Sequence, residues 1–412
     1  MSRSDWFGDL PVRWPIATIG RYFDVGLGKM LNASKESGEG AAAPYLAAGS
    51  IQPDHLVLDE PKTMPFTADE LTRYDLRKDD IVVVEGGAGY GRSHLLTADL
   101  PGWGYQNHVA RIRQVGAVRP GYLLYCLKAC LASGYIEANN RTATLPSLSR
   151  EVLRSLPIPV PPYQEQRQIA DFLDRETARI DTVIEEQQRL IDLLRERRGA
   201  VSDQLLGPHT SLYPLKRFVD DVTVGIVVNP AAWYADDGVP ALRGLNIRPG
   251  RITTSDLVYL TSEGDALHAK SRLHSGDVVV VRTGQAGASA VVPHELDGVN
   301  AIDLLIVRPG SGVNADFLAA YLNSPSTRSM IAEGSVGAIQ GHFNVGSLRE
   351  LPFPDLPADE QRQRGGKWLE QAEAIDALIA GTETFIQLVR ERRSALITAA
   401  VTGQIDVRKE VA

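Results

Sequence analysis

Two stretches of this chain carry the same apolar period. From Glu165 to Leu206, apolar or seam-compatible residues recur in alternating steps of three and four: Leu173, Glu176, Ile180, Val183, Gln187, Leu190, Leu194, Arg197 and Val201. That is a heptad stripe. No Gly or Pro falls between Glu165 and Arg198, so the pattern predicts one helix of about 40 residues, ~60 Å long at 1.5 Å per residue. Pro157-Ile158-Pro159-Val160-Pro161-Pro162 forces an extended entry, and Gly207-Pro208 closes the helix. A second stripe runs through Trp368, Gln371, Ile375, Leu378, Thr382, Phe385, Val389, Arg392 and Leu396. Gly365-Gly366 and Gly381 each cost roughly 1 kcal/mol relative to Ala, so its first turns are expected to fray or kink. Two such helices in one chain bury their stripes most simply against each other, as an antiparallel pair. The alternatives are packing on separate domains or an intermolecular coiled coil.

Ahead of each helix lie short strand-like runs: Asp80–Glu85 and His108–Val115 before the first, Asp277–Arg282 and Ala301–Val307 before the second. A short helical pattern follows each set, Tyr122–Ala132 and Asp316–Asn323. The expected fold class is α+β: two α/β globules separated by two long antiparallel helices acting as a coiled-coil spacer, related as a pseudo-twofold repeat. The boundaries expected are 1–160 and 208–356 for the globules, 161–207 for the first helix, and 357–412 for the second helix with the tail.

The words repeat as well as the pattern. Leu156-Pro157-Ile158-Pro159, Glu165-Gln166-Arg167 and Arg195-Glu196-Arg197-Arg198 return as Leu351-Pro352-Phe353-Pro354, Glu360-Gln361-Arg362 and Arg390-Glu391-Arg392-Arg393, each 195 positions later (351 − 156, 360 − 165, 390 − 195). A constant offset over some forty residues is a duplication, and it suits two readers held on one frame.

Composition adds little to this but constrains function. At 412 residues, 43% hydrophobic and 23% charged, the chain has material for more than one core. Its longest apolar runs are far short of the ~20 residues that cross a bilayer, and Met1–Asp5 opens no secretory signal, so a cytoplasmic protein without membrane contact is expected. Cys126 and Cys130, spaced four apart in an apolar stretch, read as buried packing rather than as a disulfide or zinc site. The net charge of −8, with no strongly basic segment, argues against a broad cationic surface for nucleic acid. A DNA-binding role then requires local clusters that read bases, with a partner supplying much of the phosphate contact.

Three segments imitate catalytic motifs. Glu85-Gly86-Gly87-Ala88-Gly89-Tyr90-Gly91 follows a strand as a cofactor loop does, but its repeat, Arg282-Thr283-Gly284-Gln285-Ala286-Gly287-Ala288, keeps two of the glycines and loses the acid. A glycine connection between two strands explains both copies. Asn229-Pro230-Ala231-Ala232-Trp233 distantly resembles the amino-methyltransferase motif, with alanines where a proline and an aromatic are needed to hold a flipped base. Pro53-Asp54 with Glu60-Pro61-Lys62 resembles a nuclease metal site in letters only and reads as a surface turn. No phosphate loop, metal set or nucleophile constellation emerges.

The duplicated layout, with the opening Asp5-Trp6-Phe7-Gly8-Asp9-Leu10-Pro11-Val12-Arg13-Trp14, the repeated Leu-Pro-x-Pro and Glu-Gln words, and the closing Ala400-Val401-Thr402-Gly403-Gln404-Ile405-Asp406, resembles the DNA specificity subunit of type I restriction-modification systems. The likeness spans the whole chain. It implies two target recognition domains, each reading one half of a split, asymmetric sequence in double-stranded DNA, with the helices setting the unread gap; ~60 Å is nearly two turns of B-DNA. It also implies no catalysis and no cofactor in this chain. S-adenosylmethionine belongs to two modification subunits docked near the helices, and restriction subunits join them. The competing classes are a self-contained S-adenosylmethionine-dependent DNA methyltransferase using the glycine loop, and a purely structural coiled-coil adaptor.

Base readers do not carry over from a resemblance, so they are chosen by chemistry: polar and cationic side chains on loops. In the first domain these are Lys29, Tyr90, Arg92, Ser93, Arg141 and Thr142; in the second, Arg243, Asn246, Arg248, Arg282, Thr283, Gln285, Gln340, His342 and Asn344. The helix seam and partner face are assigned to Leu173, Ile180, Val183, Leu190, Leu194, Ile375, Leu378, Phe385, Val389 and Leu396.

Overall fold

The structure is a computed structural model and describes residues 6–30, 40–53, 55–139, 147–207, 211–334 and 343–408. It divides into two compact units, Met1–Gln187 with Thr384–Ala412, and Gln188–Glu383.

The first unit contains strands β1 (Ile16–Thr18), β2 (Phe23–Leu27), β3 (Ala41–Leu46), β4 (Thr63–Phe66), β5 (Ile81–Val84), β6 (Ser93–Leu95), β7 (Gly104–Tyr105), β8 (Val109–Gln114) and β9 (Pro157–Pro159). Its short helices are α1 (Ala68–Arg73), α2 (Pro120–Ala132), α3 (Tyr135–Asn139) and α4 (Arg150–Ser155), and the long α5 is Tyr163–Leu206. An antiparallel sheet in the order β2-β8-β5-β6 stands at the centre, beside a smaller sheet β4-β3-β7. Strand β5 is apolar throughout because both of its faces are covered. Ile81 and Val83 pack with α2 and the helix segments, while Val82 and Val84 pack with Leu46, Tyr105 and Val109. Cys126 and Cys130 lie in the first of these cores, their thiols pushed up to about 12 by burial.

The second unit repeats the plan. Its strands are β10 (Leu212–Pro214), β11 (Val219–Val224), β12 (Tyr234–Ala235), β13 (Val239–Leu242), β14 (Ile247–Arg248), β15 (Arg251–Ile252), β16 (Val258–Leu260), β17 (Val278–Val281), β18 (Ser289–Val291), β19 (Asn300–Ala301), β20 (Leu304–Pro309) and β21 (Pro352–Pro354). Its helices are α6 (Ser262–Leu267), α7 (Ala315–Leu322), α8 (Pro325–Gly334), α9 (Val345–Arg349) and the part up to Glu383 of the long α10 (Ala358–Val401). The sheets run β11-β20-β17-β18 and β12-β16-β13-β19, with β14-β15 as a separate ribbon. Val278 and Val280 face one core, Val279 and Val281 another, as in the first unit.

The repeated words acquire physical reasons. The Leu-Pro-x-Pro segments form two-stranded ribbons, β9 with β1 and β21 with β10, in which the central residue, Ile158 or Phe353, is buried. Proline is tolerated there because such a ribbon leaves one edge of each strand without a ladder partner. The glutamine of each Glu-Gln word is a buried clamp. The Gln166 carbonyl accepts from Arg119 N (2.9 Å) and its amide donates to the Pro161 oxygen (2.9 Å) and the Ala117 oxygen (3.4 Å). Gln361 makes the same bonds 195 residues on, to Asn314 N (2.9 Å), Leu356 O (2.8 Å) and Gly312 O (3.0 Å). The opening and closing words meet in the first unit: Arg13 and Trp14 donate to Glu165, and Trp6, Phe7, Trp14, Val401 and Val407 share one core.

Both long helices run 44 residues, and within each unit a segment of α5 lies antiparallel to a segment of α10. Arg393 pairs with Asp181 at 3.0 Å in the first unit, and Arg198 with Asp376 at 2.8 Å in the second. These are one contact used twice, and it accounts for the last arginine of the Arg-Glu-Arg-Arg word. The glycine stretch of α10 does not break it, in contrast to the expected fraying. Gly365 packs close to the backbone of Phe317 in α7, whose Cα lies 3.6 Å from where a side chain would begin, so tertiary contact offsets the poor helix propensity.

The seam differs from expectation in its phase. Leu173, Leu194 and Ile375 are buried and Ile180, Val389 and Leu396 partly so, but Val183, Leu190, Leu378 and Phe385 are exposed. At those four steps the inward residue is the next one along: Ile184 and Ile191 on α5, Ile379 and Ile386 on α10. Thr177, Arg198 and Ser202 continue the inward face of α5, and Ala372, Arg393 and Ile397 that of α10. The sequence offers apolar residues at both phases, Val183 beside Ile184 and Leu190 beside Ile191. Packing against the globule and the opposing helix segment selects the second phase. The unselected phase stays on the surface as an apolar stripe. Among the described residues, no helix is long and apolar enough to cross a membrane.

Candidate nucleic-acid interface

In each unit three chain segments converge at one end of the central sheet. The first is the connection after β5 or β17. It runs Glu85–Arg92 into the antiparallel β6, and Arg282–Ala288 into the antiparallel β18, so each glycine segment joins two strands, as the repeat implied. A cofactor loop would instead open a helix whose N-terminus receives the ligand. Gly91, at φ +76°, and Gly287, at φ +85°, fill the matching turn positions, where a side chain would collide with Leu131 or Ile331.

The second is an extended segment that docks on the first through a backbone hydrogen bond. Leu148 N donates to Glu85 O (2.7 Å), and Phe343 N donates to Arg282 O (3.2 Å). The third is a small hairpin. In the second unit it is β14-β15, with Ile247 opposite Ile252 and Arg248 opposite Arg251, and Gly250 N donates to Ser289 O (2.9 Å). In the first unit its counterpart is closed by an Ile51–Leu56 bridge and by Gln52 N donating to His55 O (3.0 Å). His94 Nε2 lies 2.8 Å from Gln52 O, and Arg92 donates weakly to the Gln52 side chain at 3.5 Å.

The structure sorts the residues chosen from sequence. Thr283 and Gln285 are exposed on the β17-β18 connection, Arg248 is exposed on its hairpin, and Asn344 is exposed but caps α9 by accepting from Ser347 N (2.9 Å). Arg282 is committed to Asp303 (2.6 Å) and Arg243 to Asp256 (3.3 Å). Lys29 is tied to Glu70 (2.5 Å) and the Pro65 oxygen (2.7 Å), and this hydrogen bond holds the Glu70 carboxyl below its ordinary pKa. A phosphate would have to displace Glu70 to reach that ammonium. Arg92 is half-buried. Tyr90 is half-buried against the core, its phenol pushed up to about 12, first by burial and then by Glu137 and Cys130.

Two choices are corrected. Ser93 is buried within β6, and Asn246 is fully buried, with its side chain accepting from Arg243 N (2.9 Å) and donating to Ser255 O (3.1 Å). Both polar groups serve the fold. Arg141, Thr142, Gln340 and His342 lie outside the described residues. Sequence reasoning passed over Arg251, Gln52 and His55. The available signal was Ile247-Arg248-Pro249-Gly250-Arg251-Ile252, a Pro-Gly turn between β-branched residues, repeated 196 positions earlier as Ile51-Gln52-Pro53-Asp54-His55-Leu56 (247 − 51).

A duplicated α/β body thus carries polar residues on its converging loops, beside segments of two long helices. Residues 11–191 match the family model described as the Type I restriction modification DNA specificity domain. The chain is 22% identical over 315 residues to the specificity subunit of the type I restriction enzyme EcoBI of Escherichia coli, an alignment covering 69% of this chain and 64% of that relative, a little under two thirds of its length. It is 21% identical over 311 residues to the MjaVIII specificity subunit of Methanocaldococcus jannaschii, covering 70% of each. In fold it is similar to a chain from a solved structure titled "Structural basis underlying complex assembly and conformational transition of the type I R-M system" (TM-score 0.70, 15% identity, 96% of this chain and 100% of that one). It is also similar to the HsdS subunit of Thermoanaerobacter tengcongensis (TM-score 0.54, 15% identity, 96% and 98%). Residues 11–191 thus resemble a type I restriction-modification DNA specificity domain, and about 70% of the chain aligns with specificity subunits at 21–22% identity.

Proposed function

We propose that this chain gives a type I restriction-modification complex its DNA sequence specificity and carries out no chemistry itself. Residues 1–160 and 208–356 act as target recognition domains, each reading one half of a bipartite asymmetric site. Residues 161–207 and 357–412 supply the helices that set the spacing of the half-sites and dock two modification subunits. Those subunits bind S-adenosylmethionine, restriction subunits complete the assembly, and the complex works in the cytoplasm.

The observation that carries this reading is a constant frame with varied tips. The sheet order, the glutamine clamp and the Arg–Asp helix contact recur in both units, whereas the polar residues on the converging loops differ. The net charge of −8 fits a chain whose partners share the work of neutralising phosphates. In the first unit, the outward apolar stripe forms a groove of about 610 Å³ whose lining includes Phe172, Val183, Phe385 and Val389, suited to a helix of a modification subunit.

The test is an exchange of residues 1–155 for those of a related specificity protein, followed by methylation mapping in cells carrying the whole complex. One half of the methylated motif should change and the other persist. Change in both halves, or in neither, would refute the two-reader assignment. The competing methyltransferase reading requires the purified chain to bind S-adenosylmethionine without partners.

A further inference from the structure

The β14-β15 hairpin holds two like charges against each other. Arg248 and Arg251 are directly opposite in register, and both are exposed. Residues so placed on neighbouring antiparallel strands have Cβ atoms roughly 4.5–5.5 Å apart, and like charges there are destabilising. Among the described residues neither guanidinium has an acidic partner, whereas Arg243, Arg272, Arg282 and Arg308 of the same unit each have one.

The hairpin is also stiff. Pro249 fixes one turn angle and Gly250 takes φ +77°, the pattern of a type II turn. Ile247 and Ile252 pack below into the core, and Gly250 N is tied to Ser289 O on β18. Nothing lies within 4 Å of where a Gly250 side chain would begin, so the tip opens to solvent. A repulsive cationic pair on a rigid, open tip is matched to a partner rich in hydrogen-bond acceptors.

The equivalent hairpin of the first unit decides which acceptors. Its frame is the same, with Ile51 buried, a bridge to Leu56, and Pro53 at the turn. At the positions of Arg248 and Arg251 stand Gln52 and His55. Phosphate is the same in every sequence and accepts from neutral as well as charged donors, so a phosphate anchor has no reason to change between the copies. A base reader needs a different side chain for a different base, and here the fixed charge gives way to the exposed His55 and to Gln52, whose amide also donates to Gly49 O (2.7 Å).

We propose that the Arg248–Arg251 hairpin tip reads guanine in the major groove of the second half-site, and that Gln52 and His55 hold the equivalent place for the first. This rests on the function proposed above. Arginine donates two hydrogen bonds to guanine O6 and N7, whereas glutamine matches adenine N6 and N7.

To test it, the full-length chain, co-produced with its modification subunits, is incubated with a random double-stranded DNA library, and the bound DNA is sequenced. With Arg248→Ala or Arg251→Ala, preference for guanine at one position of the second half-site should fall by roughly 5- to 140-fold, and the first half-site should be unchanged. Arg248→Gln, which keeps a donor of similar reach, should move that preference toward adenine. Uniform weakening on every sequence, with the slope of log affinity against log salt falling by about one, would make these residues phosphate anchors and overturn the proposal. An unchanged motif in all three variants would overturn it too. A parent complex that selects no split motif would remove the function proposed above, a result distinct from either.

Discussion

Replacing Gln361 with leucine should loosen the joint between α10 and its globule. The side chain is buried and satisfies three backbone groups at once, the Asn314 N–H and the carbonyls of Gly312 and Leu356, at 2.8 to 3.0 Å. Leucine fills a similar volume and satisfies none of them. A buried backbone group left unpaired costs about 1–3 kcal/mol. Three such groups, partly relieved by water entering the joint, give about 3–5 kcal/mol. Gln166→Leu should cost somewhat less, because its bond to Ala117 O is already long at 3.4 Å. A chain of two units need not unfold in one step, so a single denaturation midpoint is a poor measure. Amide hydrogen exchange is better: Asn314 loses its acceptor in Gln361→Leu, as Arg119 does in Gln166→Leu, and each should lose at least roughly a hundredfold of protection, since about 1.4 kcal/mol is a factor of ten. Protection of Asn314 within about threefold of the parent value would show that the clamp contributes nothing and that the recurrence of Gln at 166 and 361 has another cause.

The same geometry fixes three further outcomes. Ile191 is 1% exposed and Leu190 is 41% exposed, so Ile191→Ala should lower local stability by about 3 kcal/mol and Leu190→Ala by less than about 1, read by amide hydrogen exchange along α5; equal losses would restore the seam expected from sequence. The equivalent acids Asp80 and Asp277 should behave oppositely on conversion to asparagine. Asp80 accepts two hydrogen bonds from Arg113 at 2.7 Å, and breaking that buried pair should cost about 3 kcal/mol. Asp277 has Arg308 only at 3.9 Å, and burial raises its pKa, so it gives stability at low pH that is lost as pH rises through its folded value; Asp277→Asn, which keeps an acceptor for His274 N, should leave stability at pH 7 equal or higher. Burial pushes the Asp75 carboxyl upward, but hydrogen bonds from Arg113 and Arg77 outweigh it and leave its pKa below the ordinary value. Its contribution is therefore present above pH ~3.9 and lost as pH falls through the folded value, so protection of the first unit's amides should drop on acidification while that of β17 does not.

Much of this architecture was legible in the chain because duplication supplies its own control. The strands Ile81–Val84 and Val278–Val281, the two long helices, and the glycine segments as strand connections each appear twice, and the second copy removes readings that the first allows. The glycine stretch after Glu85 passes for a cofactor loop only until Arg282–Ala288 is set beside it. What stayed hidden depended on tertiary contact. The helix stripe offers Val183 or Ile184, and Leu190 or Ile191, and nothing local separates them; a rotation of one residue changes which is buried. Asn246 has the composition of a base reader, yet its amide is consumed by Arg243 and Ser255, a fact visible only once nine residues of loop have folded back on it (255 − 246).

The distribution of charge shows why reading residues are hard to pick from sequence in such a protein. Arginines outside the site are needed in numbers to hold the frame, since Arg113 ties β8 to Asp80, and Arg198 and Arg393 lock the helix segments. A search by residue type therefore returns many structural cations as well. The feature that separates Arg248 and Arg251 from these is the lack of an acid across from them, among the described residues, combined with a turn that forbids retreat, and both conditions are relational. A side chain whose charge is already matched must lose one partner to gain another, whereas an unmatched one on a stiff tip loses nothing but its water. In an acidic chain, an unpaired arginine pair held in register on a stiff turn is a sharper signal than residue type alone.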